Sequence, residues 1–314
     1  MTAAASPPES APRTNAPAAG ICIDDVGLTF RGQTGTVQAL HLMTLDVAPG
    51  EVVALIGPNG CGKSTLLRVI AGLIPADAGG VSIGTEPVTG PDPRVGFVFQ
   101  EPRLLPWLTA DENVRLPMQL AGWSRERQTR RTDDLLGLVG LREFAHARPN
   151  QLSGGTRQRV AIARALAMEP GVLLLDEPFS ALDALTRERF NVELLRLWDR
   201  TGTSILVVTH SIPEAVFLAD RVIVLSPRPG RVVADIRVPL PRPRTIAQLD
   251  SALVSSTAAE IRTHLVDMTE DRVALREAAM FQPVVEAAPP AHRAPEVPPG
   301  DPAWFDPFRK DGER

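Results

Sequence analysis

The sequence predicts an α/β protein: a core on a mainly parallel sheet, an N-terminal antiparallel β subdomain, and an inserted helical subdomain. Three observations carry that expectation. The runs Val52–Ile56, Val172–Leu175, Ile205–Val208 and Val222–Leu225 are apolar without polar alternation and are separated by helical patterns. Strands buried on both faces of a parallel sheet look like this. A glycine-rich stretch, Gly57 to Thr65, stands directly between the first run and a helical pattern. From Thr109 to Ala167 the α/β alternation gives way to helical spacing alone, which reads as a helical lobe inserted into the core.

In chain order, residues 1–19 are Ala, Pro, Ser and Thr with few large apolar side chains and read as a disordered tail. A strand is expected from Ile23 to Phe30, a turn at Arg31–Gly35, and a return strand from Ala39 to Val47. Pro49-Gly50 turns into the Val52 strand. A helix is expected over Ser64–Ala71, and short strands at Val81–Ile83 and Val95–Phe99. Thr109-Ala-Asp-Glu112 has the form of a capping box. Helices are expected over Arg131–Leu141, Thr156–Met168, Ala184–Trp198 and Glu214–Leu218, with an edge strand at Arg231–Val238. One or two helices should fill an extension at 246–282. Residues 283–314 are proline-rich and read as a second disordered tail.

Charge and composition narrow the function. Net charge is −4, which leaves no basic footprint for nucleic acid. Lys63 and Lys310 are the only lysines. Cys22 and Cys61 give neither a disulfide framework nor a zinc spacing, and the five histidines show no ligand pattern. No apolar run reaches the roughly 18 residues of a membrane span, and the N-terminus lacks the form of a secretory signal.

The stretch Gly57-Pro58-Asn59-Gly60-Cys61-Gly62-Lys63-Ser64-Thr65 fits the phosphate-loop template, so the core is expected to be that of a P-loop NTPase. Gly57, Gly60 and Gly62 are expected to take positive φ and turn N–H groups inward toward a phosphate. Lys63 should reach the β- and γ-phosphates of ATP, and the Ser64 hydroxyl should hold Mg²⁺. Cys61, at a helix start, is expected to be a thiol of lowered pKa that nucleotide protects. The strand Val172–Leu175 leads into Asp176-Glu177. Carboxylates at a strand's C-terminal end lie where open α/β sheets bind ligands. Asp176 is expected to serve the Mg²⁺ shell and Glu177 to polarise the attacking water.

Leu152-Ser153-Gly154-Gly155-Thr156-Arg157-Gln158-Arg159 is a second potential anion site at a helix start. It resembles the signature motif of the ATP-binding-cassette (ABC) ATPases, with Thr156 where that family more often has Met or Gln. The resemblance spans about residues 20–240. It implies that Ser153, Gly154 and Gly155 face ATP held by a partner subunit, in a head-to-tail homodimer or a pair of ATPase subunits. It implies a Q-loop at Gln100, linking the Mg²⁺ site to the helical lobe. His210 becomes the switch histidine at the γ-phosphate, and Ser180, Ala181, Leu182 and Asp183 the D-loop at the subunit boundary. Phe30 is the residue expected to stack on adenine.

Finer features resemble the nitrate, sulfonate and taurine branch of bacterial importers: Gln100-Glu-Pro-Arg-Leu-Leu-Pro-Trp107, Ser226-Pro-Arg-Pro-Gly-Arg231 and Leu240-Pro-Arg-Pro-Arg244. The resemblance therefore implies a separate integral-membrane permease docking near Gln100–Trp107, a solute-binding protein acting through it, and a peripheral place on the cytoplasmic face of the inner membrane. A DNA-maintenance ATPase would need a long coiled coil between Gln100 and Ser153, for which the chain has no room. A ribosome-associated factor would usually carry two cassettes, and here there is one phosphate loop.

Overall fold

The computed structural model describes residues 18–33, 35–180 and 182–280. The expectations for the two tails and for Ala181 fall wholly or mostly outside them. The chain divides into a unit ending at Arg272 and a second beginning at Val273, of which the described part is the end of the last helix.

The first unit holds two sheets. In the smaller, β1 (Ile21–Gly32), β2 (Gly35–Val47), β4 (Ala78–Ile83) and β5 (Glu86–Pro87) pair antiparallel in the order β2-β1-β4-β5. The larger contains β3 (Val52–Ile56), β6 (Val95–Val98), β7 (Val172–Asp176), β8 (Ser204–Val208), β9 (Arg221–Leu225) and β10 (Val232–Arg237). Its order is β10-β9-β3-β8-β7-β6, with every pairing parallel except the β9–β10 edge.

Every residue of β3, β7 and β8 is buried, yet the period of two survives in three dimensions. Val52, Ala54, Ile56, Leu173, Leu175, Ile205 and Val207 pack into one core with the helices. Val53, Leu55, Val172, Leu174, Leu206 and Val208 pack into a second, with the smaller sheet and α1 (Lys63–Ile70). Successive side chains of a strand point to opposite faces, so a sheet covered on both sides needs apolar residues throughout.

Between β6 and β7 lie α2 (Ala110–Leu120), α3 (Arg125–Leu138) and α4 (Gly154–Ala165). The Thr109–Glu112 capping box forms as read, each residue's side chain meeting the other's backbone N–H. The third helix starts six residues earlier than expected. Ser124 caps it by accepting from the Arg127 N–H, and its first turns are too polar to reveal a core face. The hairpin turn is also tighter than expected, because β1 and β2 stay paired through Arg31↔Thr36 and Gly32↔Gly35. Beyond β7 come α5 (Ala184–Thr201), α6 (Ile212–Leu218) and α7 (Ala252–Met280), the last seated on the core by Val254, Ala258 and Ile261.

Candidate functional site

Five neighbouring parallel strands end along one edge of the larger sheet. The phosphate loop follows β3, Gln100 follows β6, Glu177 follows β7, His210 follows β8 and Arg228 follows β9. The C-terminal edge of such a sheet is where ligands of open α/β folds sit. A cleft of about 230 Å³ opens there, lined among others by Phe30, Asn59, Gly60, Lys63, Glu177 and Arg228. A larger cavity, about 740 Å³, lies between α5 and Arg242–Ile246. Its inner guanidiniums are already engaged: Arg242 with Asp220, Arg244 with backbone carbonyls of Val216, Phe217, Ala219 and Leu240.

In the phosphate loop Gly60 and Gly62 have φ of +73° and +111°, and Gly62 is the residue before α1. Gly57 does not share that conformation. It is glycine for space: a Cβ there would lie 2.8 Å from the Leu225 carbonyl oxygen and 3.0 Å from the Cys61 sulfur. The lowered pKa expected for Cys61 is overturned. The residue is only 1% exposed, and burial pushes its thiol up, outweighing the pull of nearby Lys63. A buried thiol of this kind is inert rather than reactive.

Lys63 is buried and turns its Nζ onto the loop, donating to the carbonyls of Gly57 at 2.8 Å and Pro58 at 3.0 Å. The Ser64 hydroxyl donates to Asp176 Oδ1 at 2.8 Å, joining residues 112 positions apart. Burial raises the Asp176 carboxyl above its ordinary range; the Ser64 hydroxyl and the charges of Arg68 and Lys63 oppose that rise, and Glu177 adds to it. Glu177 has φ +44°, uncommon for a residue with a Cβ. Its N–H donates to the Val208 carbonyl at 3.0 Å, tying the end of β7 to that of β8. One of its oxygens, Oε2, accepts from Gln100 Nε2 at 3.1 Å and lies 3.4 Å from His210 Nδ1. Gln100, Glu177 and His210 thus meet at a single oxygen atom.

Ser64, Asp176 and Gln100 offer a hydroxyl, a carboxylate and an amide oxygen. That hard-oxygen donor set suits Mg²⁺, which usually takes one or two protein carboxylates and completes its shell with phosphate and water. A cation would also relieve the charge that burial disfavours on Asp176.

The second anion motif is separate in space. None of Ser153, Gly154 and Gly155 lines the cleft. The Ser153 side chain is exposed and caps α4, accepting from the Thr156 N–H at 3.2 Å and bonding the Thr156 hydroxyl at 2.8 Å. Gly155 approaches Leu182 so closely that a Cβ would sit 3.1 Å from its side chain. Ser180 donates to the Glu177 carbonyl at 3.1 Å, and Asp183 caps α5 through the Thr186 N–H at 3.0 Å. Phe30, 44% exposed, stands on the β1–β2 hairpin at the wall of the cleft, opposite Val37.

Two residues escape the motif reading. Arg228 donates from Nε to the Gly60 carbonyl at 3.0 Å and lines the cleft. Its segment, Ser226–Arg231, reads in sequence only as a branch-level likeness. Glu214 is 5% exposed, and burial pushes its carboxyl up to about 7; the Thr209 hydroxyl and Arg187 counter this, and Glu177 adds to it. Its sequence neighbours, Pro213 and Ala215, give no sign of a buried charge.

The pattern of the ABC transporter family matches residues 40–180. The chain is 51% identical over 220 residues to the aliphatic sulfonates import ATP-binding protein SsuB 1 of Xanthomonas axonopodis pv. citri, covering 70% of this chain and 87% of that protein. It is 45% identical over 216 residues to the taurine import ATP-binding protein TauB of Burkholderia pseudomallei, covering 69% and 83%. A dimeric ATP-binding cassette solved in a post-hydrolysis state with ADP and Pi superposes with a TM-score of 0.63 at 36% identity, over 69% of this chain and 98% of that one. A chain that shares this much sequence with such proteins, over most of their length, belongs to the ABC transporter family as one of its ATPases.

Proposed function

We propose that this chain is the ATP-hydrolysing subunit of an importer for small anionic solutes of the sulfonate and taurine type, working with a separate permease. The support for the solute class is the naming of its relatives. The observation that carries the ATPase mechanism is the shared oxygen of Glu177, contacted by Gln100 and His210 beside the phosphate loop.

ATP enters the cleft with its phosphates on the loop N–H groups and Lys63, which leaves the loop carbonyls for the phosphate. Phe30 stacks on the adenine, and Asn59 to Thr65 surround the phosphates. Ser64, Asp176 and Gln100 hold Mg²⁺, which when bound neutralises charge on the phosphate oxygens. Glu177 orients and polarises the attacking water. His210 contacts the γ-phosphate, and Gln100 aligns the carboxylate. Ser153, Gly154 and Gly155 of a second copy close over the nucleotide from the far side, with the Ser180–Asp183 loop at the boundary.

A groove on the inserted helices supplies the coupling surface. It holds about 590 Å³ between Leu105, Trp107, Glu112, Leu116 and Arg125, and Trp107 is 65% exposed. Helix α4 grips the segment leading to it, Arg164 donating to the carbonyls of Pro102 at 3.0 Å and Arg103 at 2.9 Å. A cytoplasmic loop of the permease seated in this groove would feel any movement of Gln100, a hinge-type transmission. On this reading the subunit sits peripherally on the cytoplasmic face of the membrane.

The decisive experiment is Glu177→Gln. The change keeps size and hydrogen bonding and removes the charge that polarises water. Hydrolysis should fall by roughly 10²–10⁴, while Mg-ATP binding persists and an ATP-dependent dimer accumulates in size-exclusion chromatography. Hydrolysis at the wild-type rate would refute the assignment.

A further inference from the structure

We infer that Arg228 is a further nucleotide-binding residue: the turn between β9 and β10 holds its guanidinium on the phosphate loop, where it takes the phosphate chain of the nucleotide. The inference rests on the ATP-binding role proposed above for the cleft.

The turn is built against the loop. Ser226 closes it: its N–H donates to the Arg231 carbonyl at 2.9 Å, and its hydroxyl oxygen accepts from the Arg231 N–H at 3.0 Å. The hydroxyl itself donates toward the carbonyls of Pro227 at 2.9 Å and Pro229 at 3.0 Å. These two prolines flank Arg228 and fix φ on both sides of it. Gly230 then fastens the turn to its surroundings. Its N–H donates to the Ala39 carbonyl at 2.9 Å and its carbonyl accepts from the His41 N–H at 3.1 Å, which lays the turn beside β2. A Cβ on Gly230 would lie 2.2 Å from the Cys61 carbonyl oxygen, so only glycine brings the turn this close to the phosphate loop.

From this turn Arg228 lies on Gly60. Its Nε donates to the Gly60 carbonyl at 3.0 Å, and its Nη2 is 2.9 Å from where a Cβ on Gly60 would stand. Nε–H is one of five guanidinium donors. The other four meet no acceptor, and no carboxylate pairs with the group, among the described residues. Arg94, Arg221 and Arg242, by contrast, are each paired with an aspartate. Arg228 is exposed and lines the same cleft as Lys63, Ser64 and Thr65. A second uncompensated cation beside Lys63 strengthens the positive potential that draws an anion there. The planar fork matches two oxygens of a phosphate chain, a bidentate pairing that an ammonium cannot make. The base is the poorer match. Phe30 and Val37, which offer it apolar surface, stand on the β1–β2 hairpin, whereas the guanidinium lies on the loop itself.

The test is calorimetric binding to the purified full chain, at low and high salt, of Mg-ATP and of Mg-tripolyphosphate, which has the phosphate chain without base or ribose. The variants are Arg228→Ala, Arg228→Gln and Arg228→Lys. Arg228→Ala should weaken both ligands by a similar factor, roughly 10- to 150-fold, the scale of a hydrogen bond to a charged group. Arg228→Lys keeps the charge but not the fork and should recover only part of the loss. Added salt should weaken wild-type binding more steeply than binding by Arg228→Ala or Arg228→Gln, because the variants lack the charge that salt screens. An arginine that merely braced the loop would cost affinity without altering the salt dependence, so parallel salt profiles overturn the inference. It is equally overturned if Arg228→Ala weakens Mg-ATP but not tripolyphosphate, which would put the guanidinium on the base or ribose. Should Arg228→Ala not fold, the Gln and Lys variants, which differ in charge, decide by the same salt comparison. A wild-type chain that does not bind Mg-ATP would sink the proposed function; a wild-type chain that binds it no more tightly than Arg228→Ala would sink this inference alone.

Discussion

The nucleotide cleft and the start of α4 are both built to receive an anion, and they are built differently. The cleft gathers residues from five strand ends, and its contacts span long sequence separations: Ser64 with Asp176, Gln100 with Glu177. The α4 start is local. Ser153 is exposed and its side chain bonds within its own first turn, and its glycines line no part of the cleft. A sheet edge holds groups rigidly because each is anchored by a buried strand. A helix N-terminus offers N–H groups and a dipole without enclosing anything. One chain thus presents one enclosed anion site and one open one, which fits the proposal that two copies complete each other.

The comparison breaks most sharply at Ser153. On the Glu177→Gln background, Ser153→Arg should abolish the ATP-dependent dimer while leaving Mg-ATP binding to the monomer intact, read by chromatography and by calorimetry. Ser153→Ala should remove only the cap, costing about 1 kcal/mol of stability. A dimer that survives Ser153→Arg would show that the α4 start is no part of the nucleotide sandwich.

Next in size is an effect confined to the cleft side. The Glu214 carboxyl is raised from 4.5 to about 7, so folding favours its protonated form. Its contribution to stability is full below about pH 4.5 and is lost as pH rises through 7, a change of about 3 kcal/mol. Glu214→Gln is neutral throughout. Its stability relative to wild type, from urea unfolding, should therefore increase between pH 5 and pH 8. A constant difference would contradict the raised carboxyl.

A smaller effect is expected at Arg228, which braces the phosphate loop at Gly60 and faces the cleft. Arg228→Ala should weaken Mg-ATP binding by about 1.5–3 kcal/mol, the worth of a hydrogen bond to a charged group. The smallest is at the tail. Truncation after Gln282 should leave ATP hydrolysis at the wild-type level, since no motif lies beyond it; a large loss of activity would contradict this.

Much of this was legible from sequence because the informative residues are local. A strand, a glycine loop and a helix arrive in order around Lys63, and the capping box at Thr109–Glu112 is spelled within four residues. What was not legible depends on distant partners. Cys61 looks like a reactive thiol beside a helix start until the second core buries it. Gly57 looks like its neighbours until the Leu225 carbonyl is seen against it. Arg228 and Glu214 sit among ordinary residues, and only tertiary packing brings one to the phosphate loop and buries the other. The early start of α3 was hidden for another reason: the residues its first turns bury, Gln128 and Thr132, are polar.

The division of each central strand between two cores has a consequence for how this chain can change. Leu174 and Leu175 are adjacent in sequence but share almost no neighbourhood: the first packs toward α1 and the smaller sheet, the second toward the inserted helices. In a suppressor screen, a cavity made by Leu174→Ala should be repaired by larger residues at positions such as Leu67 or Ile83. One made by Leu175→Ala should be repaired at positions such as Ala161 or Val216. Neighbouring codons would then follow separate histories of compensation, and the two halves of the molecule on either side of the sheet could drift independently.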